Sequence, residues 1–132
     1  MEPRVRFLLD THALIWWLAG DAALGPNARE AIADRANAIF VSAASAMEVA
    51  TKFRIGKLAG AALLAQDFEA IVAGQGFAEL PISLQHARRA GEMHIAHKDP
   101  FDRLLIAQAQ VEDMVLISKE ALFDGFAVKR LW

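Results

Sequence analysis

The sequence predicts an α/β protein, a mostly parallel central sheet with helices on both faces. Three observations lead there. Apolar runs of strand length recur at Arg4 to Leu9, Ala38 to Val41 and Met114 to Ser118. Segments of helical length separate them, and strands that alternate with helices imply parallel pairing under a helical cover. Acids and other capping residues stand where strand gives way to helix. At 132 residues the chain has the size of one domain, assigned to residues 1–132.

The elements follow in order. Arg4 to Leu9 is a short strand that ends at Asp10, and Thr11 to Leu18 has helical length behind a capping threonine. Pro26 opens a second helix through about Asp34, with Ala28, Ala31 and Ile32 on one face. After the strand Ala38 to Val41, Ser45-Ala46-Met47-Glu48 reads as a capping box opening a helix toward Ile55 and ending at Gly56. Ala61 to Val72 is helical by period, and Gly74 and Gly76 punctuate its end. Ala78 to Ile82 is a short strand, restricted by Pro81 to an edge or a strand end. Ser83 to Met93 is a polar-faced helix, and His94 to Lys98 a loop. Asp99-Pro100 combines an N-cap with proline at the first helical position, starting the helix that carries Leu104, Leu105, Ile106, Ala109 and Val111. Met114 to Ser118 is a buried strand and Val128 to Trp132 a last one.

Composition narrows the function. Hydrophobic residues make up 55% of the chain and mean hydropathy is +0.27, yet no apolar run approaches the ~20 residues of a membrane span. The surplus suits a protein–protein interface. Cysteine is absent, which excludes a disulfide scaffold, a thiol nucleophile and cysteine-ligated zinc. Asp10 interrupts the first apolar run, so a signal peptide is not expected and a cytoplasmic location is. With 14 basic and 16 acidic residues the net charge is −2, and no bulk positive field points to nucleic acid. A phosphate-binding surface would have to be local, or a metal would have to supply the positive charge.

The functional signal is acidic. In open parallel sheets ligands bind beyond the carboxyl ends of the strands, and the acids gather at those predicted ends. Each has a structural explanation of its own. Asp10 suits a helix cap, Glu48 a capping-box position, Asp99 an N-cap, and Asp102 the positive end of a helix dipole. Their joint placement is harder to explain structurally. Clustered carboxylates repel, and a cation is the natural means of neutralising them. Oxygen-only ligands suit Mg²⁺ or Mn²⁺ better than zinc.

Three blocks resemble a known family. They are Leu8-Leu9-Asp10-Thr11-His12-Ala13-Leu14-Ile15-Trp16-Trp17, Ser42-Ala43-Ala44-Ser45-Ala46-Met47-Glu48, and His97-Lys98-Asp99-Pro100-Phe101-Asp102-Arg103-Leu104-Leu105-Ile106-Ala107-Gln108-Ala109. They resemble PIN domains, and most of all the VapC-type toxins of bacterial toxin–antitoxin pairs. The resemblance spans nearly the whole chain, with the third block the most specific. It implies a PIN-like fold, Mg²⁺- or Mn²⁺-dependent endoribonuclease activity leaving 5′-phosphate and 3′-hydroxyl ends, a cognate antitoxin, and a homodimer. By motif, Asp10 matches the family's first acid, Glu48 its second and Asp102 its third, all as catalytic and metal-binding residues. Asp99 is an additional acid of this subgroup and is assigned with them as catalytic and metal-binding. The fourth acid usually stands in a threonine-x-aspartate, which here reads Ser118-Lys119-Glu120, a departure. Glu120 is the candidate replacement, with water as the alternative ligand.

Other features are weighed beside these. Lys52, Arg54 and Lys57 after Glu48, and His97, Lys98 and Arg103 around the third block, are candidate contacts for RNA phosphates, with solvated helix faces the plain alternative. Arg103 could equally pair with Asp99 four positions earlier. Ser118 is placed to hydrogen-bond an acid. His94-x-x-His97 lacks the further ligands of a zinc site, and His12 and His86 are read as loop or packing residues. Trp16, Trp17, Phe53 and Met47 are assigned to core and interface packing rather than base stacking. A haloacid-dehalogenase-type phosphatase would need a second aspartate at the position of His12, and a receiver domain does not suit Glu48 with the Asp99/Asp102 block. The remaining alternative is a non-catalytic PIN-like module that binds RNA or protein.

Overall fold

The computed structural model describes residues 5–58, 61–94 and 99–132. Five strands form one sheet in the order β3-β2-β1-β4-β5, with every pair parallel. They are β1 (Arg6–Leu9), β2 (Ala38–Ser42), β3 (Ala78–Leu80), β4 (Val115–Ile117) and β5 (Arg130–Leu131). The helices are α1 (Thr11–Ala19), α2 (Pro26–Ala33), α3 (Ala43–Arg54), α4 (Ala62–Gln66), α5 (Phe68–Gly74), α6 (Leu84–Glu92) and α7 (Pro100–Glu112). A 3-10 turn over Ala121–Gly125 precedes β5. The mostly parallel α/β architecture expected from the sequence is the one observed, and β3 is an edge strand that ends at Leu80, directly before Pro81.

Strand alternation divides the core in two. Successive side chains point to opposite faces of a sheet. Phe7, Leu9, Ile39, Val41 and Ile117 therefore meet α1, α2, α4 and α5 on one face, with Val49 of α3. Leu8 and Leu116 meet Leu105, Ile106 and Ala109 of α7 on the other, together with Phe123 of the 3-10 turn. Because both faces are covered, the inner strands read as continuous apolar runs. Leu8, Leu9, Leu116 and Ile117 have no exposed surface.

Local sequence accounts for most boundaries. Gly20 ends α1 in the left-handed region at φ 65°, a conformation that costs glycine little. Gly25 caps α2 where a Cβ would lie 2.7 Å from the Trp132 ring and 2.8 Å from its backbone carbon, so only glycine lets Trp132 close that side of the core. Trp16, Trp17 and Trp132 pack against the larger cluster, as the packing assignment for Trp16 and Trp17 requires.

Two local expectations are corrected. The stretch Ala61 to Val72 is two helices broken at Asp67, whose φ of −126° leaves the helical region. A short acidic side chain in a helix interior competes with the helical backbone for hydrogen bonds. The Ser45/Glu48 capping box does not exist, because α3 begins earlier. Ser42, the last residue of β2, caps it by accepting from Ala44 N at 2.9 Å. A capping box does occur at α6, where Ser83 Oγ accepts from His86 N and His86 Nδ1 accepts from Ser83 N, both at 3.0 Å.

Candidate functional site, an acidic cleft at the carboxyl edge of the sheet

β1 is flanked by β2 on one side and β4 on the other, so chain connections diverge at its carboxyl end. Such a switch point opens a crevice above the sheet. Here a cleft of about 100 Å³ is lined by Asp10, Thr11, His12, Glu48, Lys52, Asp99, Asp102 and Glu120, closed by Leu122 and Phe123. All five candidate acids face it. With His12 neutral, five carboxylates and one lysine give the described lining a formal charge of −4.

Asp10 is held by the end of the sheet itself. Its backbone N–H donates to Ile117 O at 3.0 Å, extending the β1–β4 ladder by one bond. Its carboxylate caps α1, accepting from Ala13 N at 2.8 Å, and also accepts from the Ser118 hydroxyl. The residue is 7% exposed. Burial pushes its carboxyl up from 3.8 to about 6, against the opposing pull of Ser118, the Ala13 amide and His12, while the charge of Asp102 adds to the rise. The capping explanation is thus correct for Asp10 and does not remove it from the cleft.

Glu48 reaches the cleft from the second turn of α3 and is buried. Thr11 Oγ1 lies 2.5 Å from Glu48 Oε1 and 3.0 Å from Ser45 Oγ. With one proton per hydroxyl, Thr11 donates to the carboxylate and accepts from Ser45. The other carboxylate oxygen, Oε2, accepts from Lys52 Nζ. Thr11 and Ser45 were not assigned to the site from sequence. The threonine stands next to Asp10 and the serine one helical turn before Glu48, a spacing that contains the relationship but does not announce it.

Asp99 caps α7, accepting from Phe101 N at 2.9 Å and Asp102 N at 3.3 Å. Asp102 sits half-buried in the first turn behind it, where the helix dipole favours its charge. Glu120 is exposed on the far rim, its backbone N–H donating to Ser118 Oγ at 3.1 Å. Ser118 therefore joins Asp10 to the Glu120 backbone, the role foreseen for a hydroxyl at that strand end.

The basic candidates separate. Lys52 lies inside the cleft and Arg54 is exposed at the end of α3. Arg103 is turned toward the end of α6, donating to the carbonyls of Ala90 at 3.0 Å and Met93 at 2.8 Å. Its contacts thus tie α7 to the preceding helix. Lys98 and His97 lie outside the described residues. His86 is buried, with Nε2 2.9 Å from Glu112 Oε2, and Lys119 Nζ sits 5.8 Å over the Trp16 ring beside the cleft.

The donor set is carboxylate oxygen throughout, which suits a hard divalent cation. Burial raises the Asp10 carboxyl from 3.8 to about 6, a penalty on its charged form that a bound cation would offset. Among the described residues, no three His, Asp or Glu side chains stand close enough together to hold a metal in the present geometry.

Fold and cleft together define a class: an α/β protein whose carboxylates gather at the carboxyl edge of a parallel sheet. The PIN domain model matches residues 7–129, and the chain belongs to that family. Solved structures of similar fold include VapBC2 from Rickettsia felis, bound to a DNA fragment from the VapBC2 promoter. It aligns with a TM-score of 0.69 at 13% identity, over 96% of this chain and 98% of that one. VapC20 of Mycobacterium tuberculosis, a Sarcin-Ricin loop cleaving toxin, aligns at 0.67 and 17% identity over 92% and 95%. VapBC-1 from nontypeable Haemophilus influenzae aligns at 0.63 and 15% identity over 96% and 97%. At such identities the likeness is one of fold. No curated protein sequence matches the chain.

Proposed function

We propose that the protein is a Mg²⁺- or Mn²⁺-dependent endoribonuclease acting as the toxin of a toxin–antitoxin pair. The observation that carries this reading is the meeting of Asp10, Glu48, Asp99 and Asp102 in one cleft at the switch point of the sheet. Membership of the PIN family supports it, as does similarity in fold to a Sarcin-Ricin loop cleaving toxin and to VapBC complexes.

In this reading Asp10, Glu48 and Asp102 hold the cation, with Asp99 beside them and Glu120 at the rim as the fourth acid. Held there, a divalent cation would supply Lewis-acid chemistry for phosphodiester hydrolysis and would offset charge developing on the phosphate. Asp10 is positioned by two hydrogen bonds that leave little rotamer freedom, and Glu48 by Thr11. Phe123, fully buried, and the exposed Leu122 line one wall. Lys52, Arg54 and Lys98 are the candidate contacts for RNA phosphates, whereas the Arg103 guanidinium is engaged by the Ala90 and Met93 carbonyls.

Partner surfaces follow from burial. α3 buries Ala44, Ser45, Glu48 and Val49, and leaves Met47 64% and Phe53 37% exposed. With Leu63 of α4 at 75% exposure, these exposed apolar side chains support a homodimer or a bound antitoxin. Among the described residues no helix is long and apolar enough to cross a membrane. We assign the protein to the cytoplasm.

The test is an RNA cleavage assay with highly purified, antitoxin-free protein. Cleavage should require Mg²⁺ or Mn²⁺, stop with EDTA and return when metal is restored. Undiminished cleavage in EDTA would reject the mechanism. RNA binding without cleavage at any metal concentration would favour the non-catalytic module.

A further inference from the structure

Both oxygens of the Glu48 carboxylate already have partners, Thr11 at Oε1 and Lys52 at Oε2. Lys52 follows Glu48 by one helical turn of α3, a spacing that on most helices gives a solvated surface pair. Here the Glu48 side chain is only 6% exposed while that of Lys52 is 32% exposed, so the ammonium covers the solvent side of a buried carboxylate. It also lies in the fields of Asp99 and Asp102. Among the described residues lining the cleft, it is the only lysine or arginine.

We infer that Lys52 is a counter-ion built into the cleft, competing with a divalent cation for Glu48, so that cation entry requires the ammonium to leave Oε2. The inference rests on the cation-binding reading of the cleft. Two like charges within one small cleft repel, and for a single carboxylate oxygen the occupancies exclude one another. The four-carbon stem lets the ammonium move to solvent without a shift of α3. Thr11 meanwhile keeps Oε1 in place. Lys52 is therefore a positioning residue that acts through Glu48, and not a permanent clamp on the cation.

The test is calorimetric titration with Mn²⁺ alone, without RNA, of the wild-type chain, Lys52→Met and Lys52→Arg. Lys52→Met should bind about fivefold more tightly or better at low salt, and Lys52→Arg should stay within about twofold of wild type. Equal affinity of Lys52→Met and wild type would overturn the competition, and weaker binding by Lys52→Met would make Lys52 a clamp. A second measurement needs no variant: the ¹⁵N side-chain ammonium resonance of Lys52 should be protected in the metal-free protein and lose protection as Mg²⁺ is added. A resonance unchanged at saturating Mg²⁺ would also overturn the inference. Failure of all three proteins to bind Mn²⁺ would instead remove the cation-binding reading itself, and this inference with it.

Discussion

Thr11 Oγ1 lies 2.5 Å from Glu48 Oε1, joining the first residue of α1 to the middle of α3. Asp10 follows β1 directly and Glu48 stands on α3 behind β2, and the threonine hydroxyl next to Asp10 links the two. Thr11→Val keeps the shape of the side chain and removes the donor from a buried carboxylate. It should cost about 1–3 kcal/mol in denaturant unfolding, since a buried charged acceptor is left short of a partner. Thr11→Ser should restore most of that stability.

The acids should differ in what their removal costs. Asp10→Asn, Asp102→Asn and Glu48→Gln should each lower RNA turnover by about a hundredfold or more, because each removes charge that holds the cation. Asp99→Asn keeps an oxygen to accept from Phe101 N and Asp102 N, so its melting temperature should hold and its activity loss be milder. Glu120→Gln, on the exposed rim, should lose least. Single-turnover rates with saturating metal measure the ranking. A fully active Glu48→Gln of unchanged stability would remove Glu48 from the site.

The pH dependence of metal-free stability follows from Asp10. Its carboxyl is raised in the folded chain from 3.8 to about 6, so folding favours the neutral form. The stability this contributes is fully present below about pH 4 and is lost as pH rises to about 6, on the order of 3 kcal/mol across that window. Asp10→Asn should remove this slope and exceed wild type in melting temperature at pH 7 without metal. Thermal melts from pH 4 to 7 in EDTA test the sign. A wild-type curve that gains stability relative to Asp10→Asn as pH rises would contradict it.

Gln108 is fully buried on α7 and joins three elements. Its Oε1 accepts from Ser42 Oγ at 2.5 Å, and its Nε2 donates to Pro81 O at 3.2 Å. Gln108→Leu leaves a serine hydroxyl and a carbonyl without these partners, and should cost about 2–4 kcal/mol in chemical denaturation. A loss below 0.5 kcal/mol would mean that Ser42 and Pro81 find other partners.

The sequence carried the sheet because both faces of β1 and β4 are buried, which makes their residues continuously apolar. It also carried the caps at Asp10 and Asp99, since capping is a local matter of one side chain and amides two or three residues on. The start of α3 was ambiguous. Ser42 and Ser45 are both able to cap, and the choice falls to Ser42 because it ends the strand paired with β3 through Leu80. That pairing is long-range and leaves no local signature. The same shift moves Glu48 from a capping position into the helix interior, where Thr11 and Lys52 become its partners. Gln108 was equally silent, since a buried glutamine is understood only with Ser42 and Pro81 beside it.

The most direct measurement of the central claim is anomalous diffraction from crystals of the purified chain equilibrated with Mn²⁺. The account predicts an anomalous peak inside the cleft lined by Asp10, Glu48 and Asp102, absent from Asp10→Asn crystals prepared in the same way. A cleft without a peak, in crystals of protein that cleaves RNA in the same Mn²⁺ buffer, would contradict it.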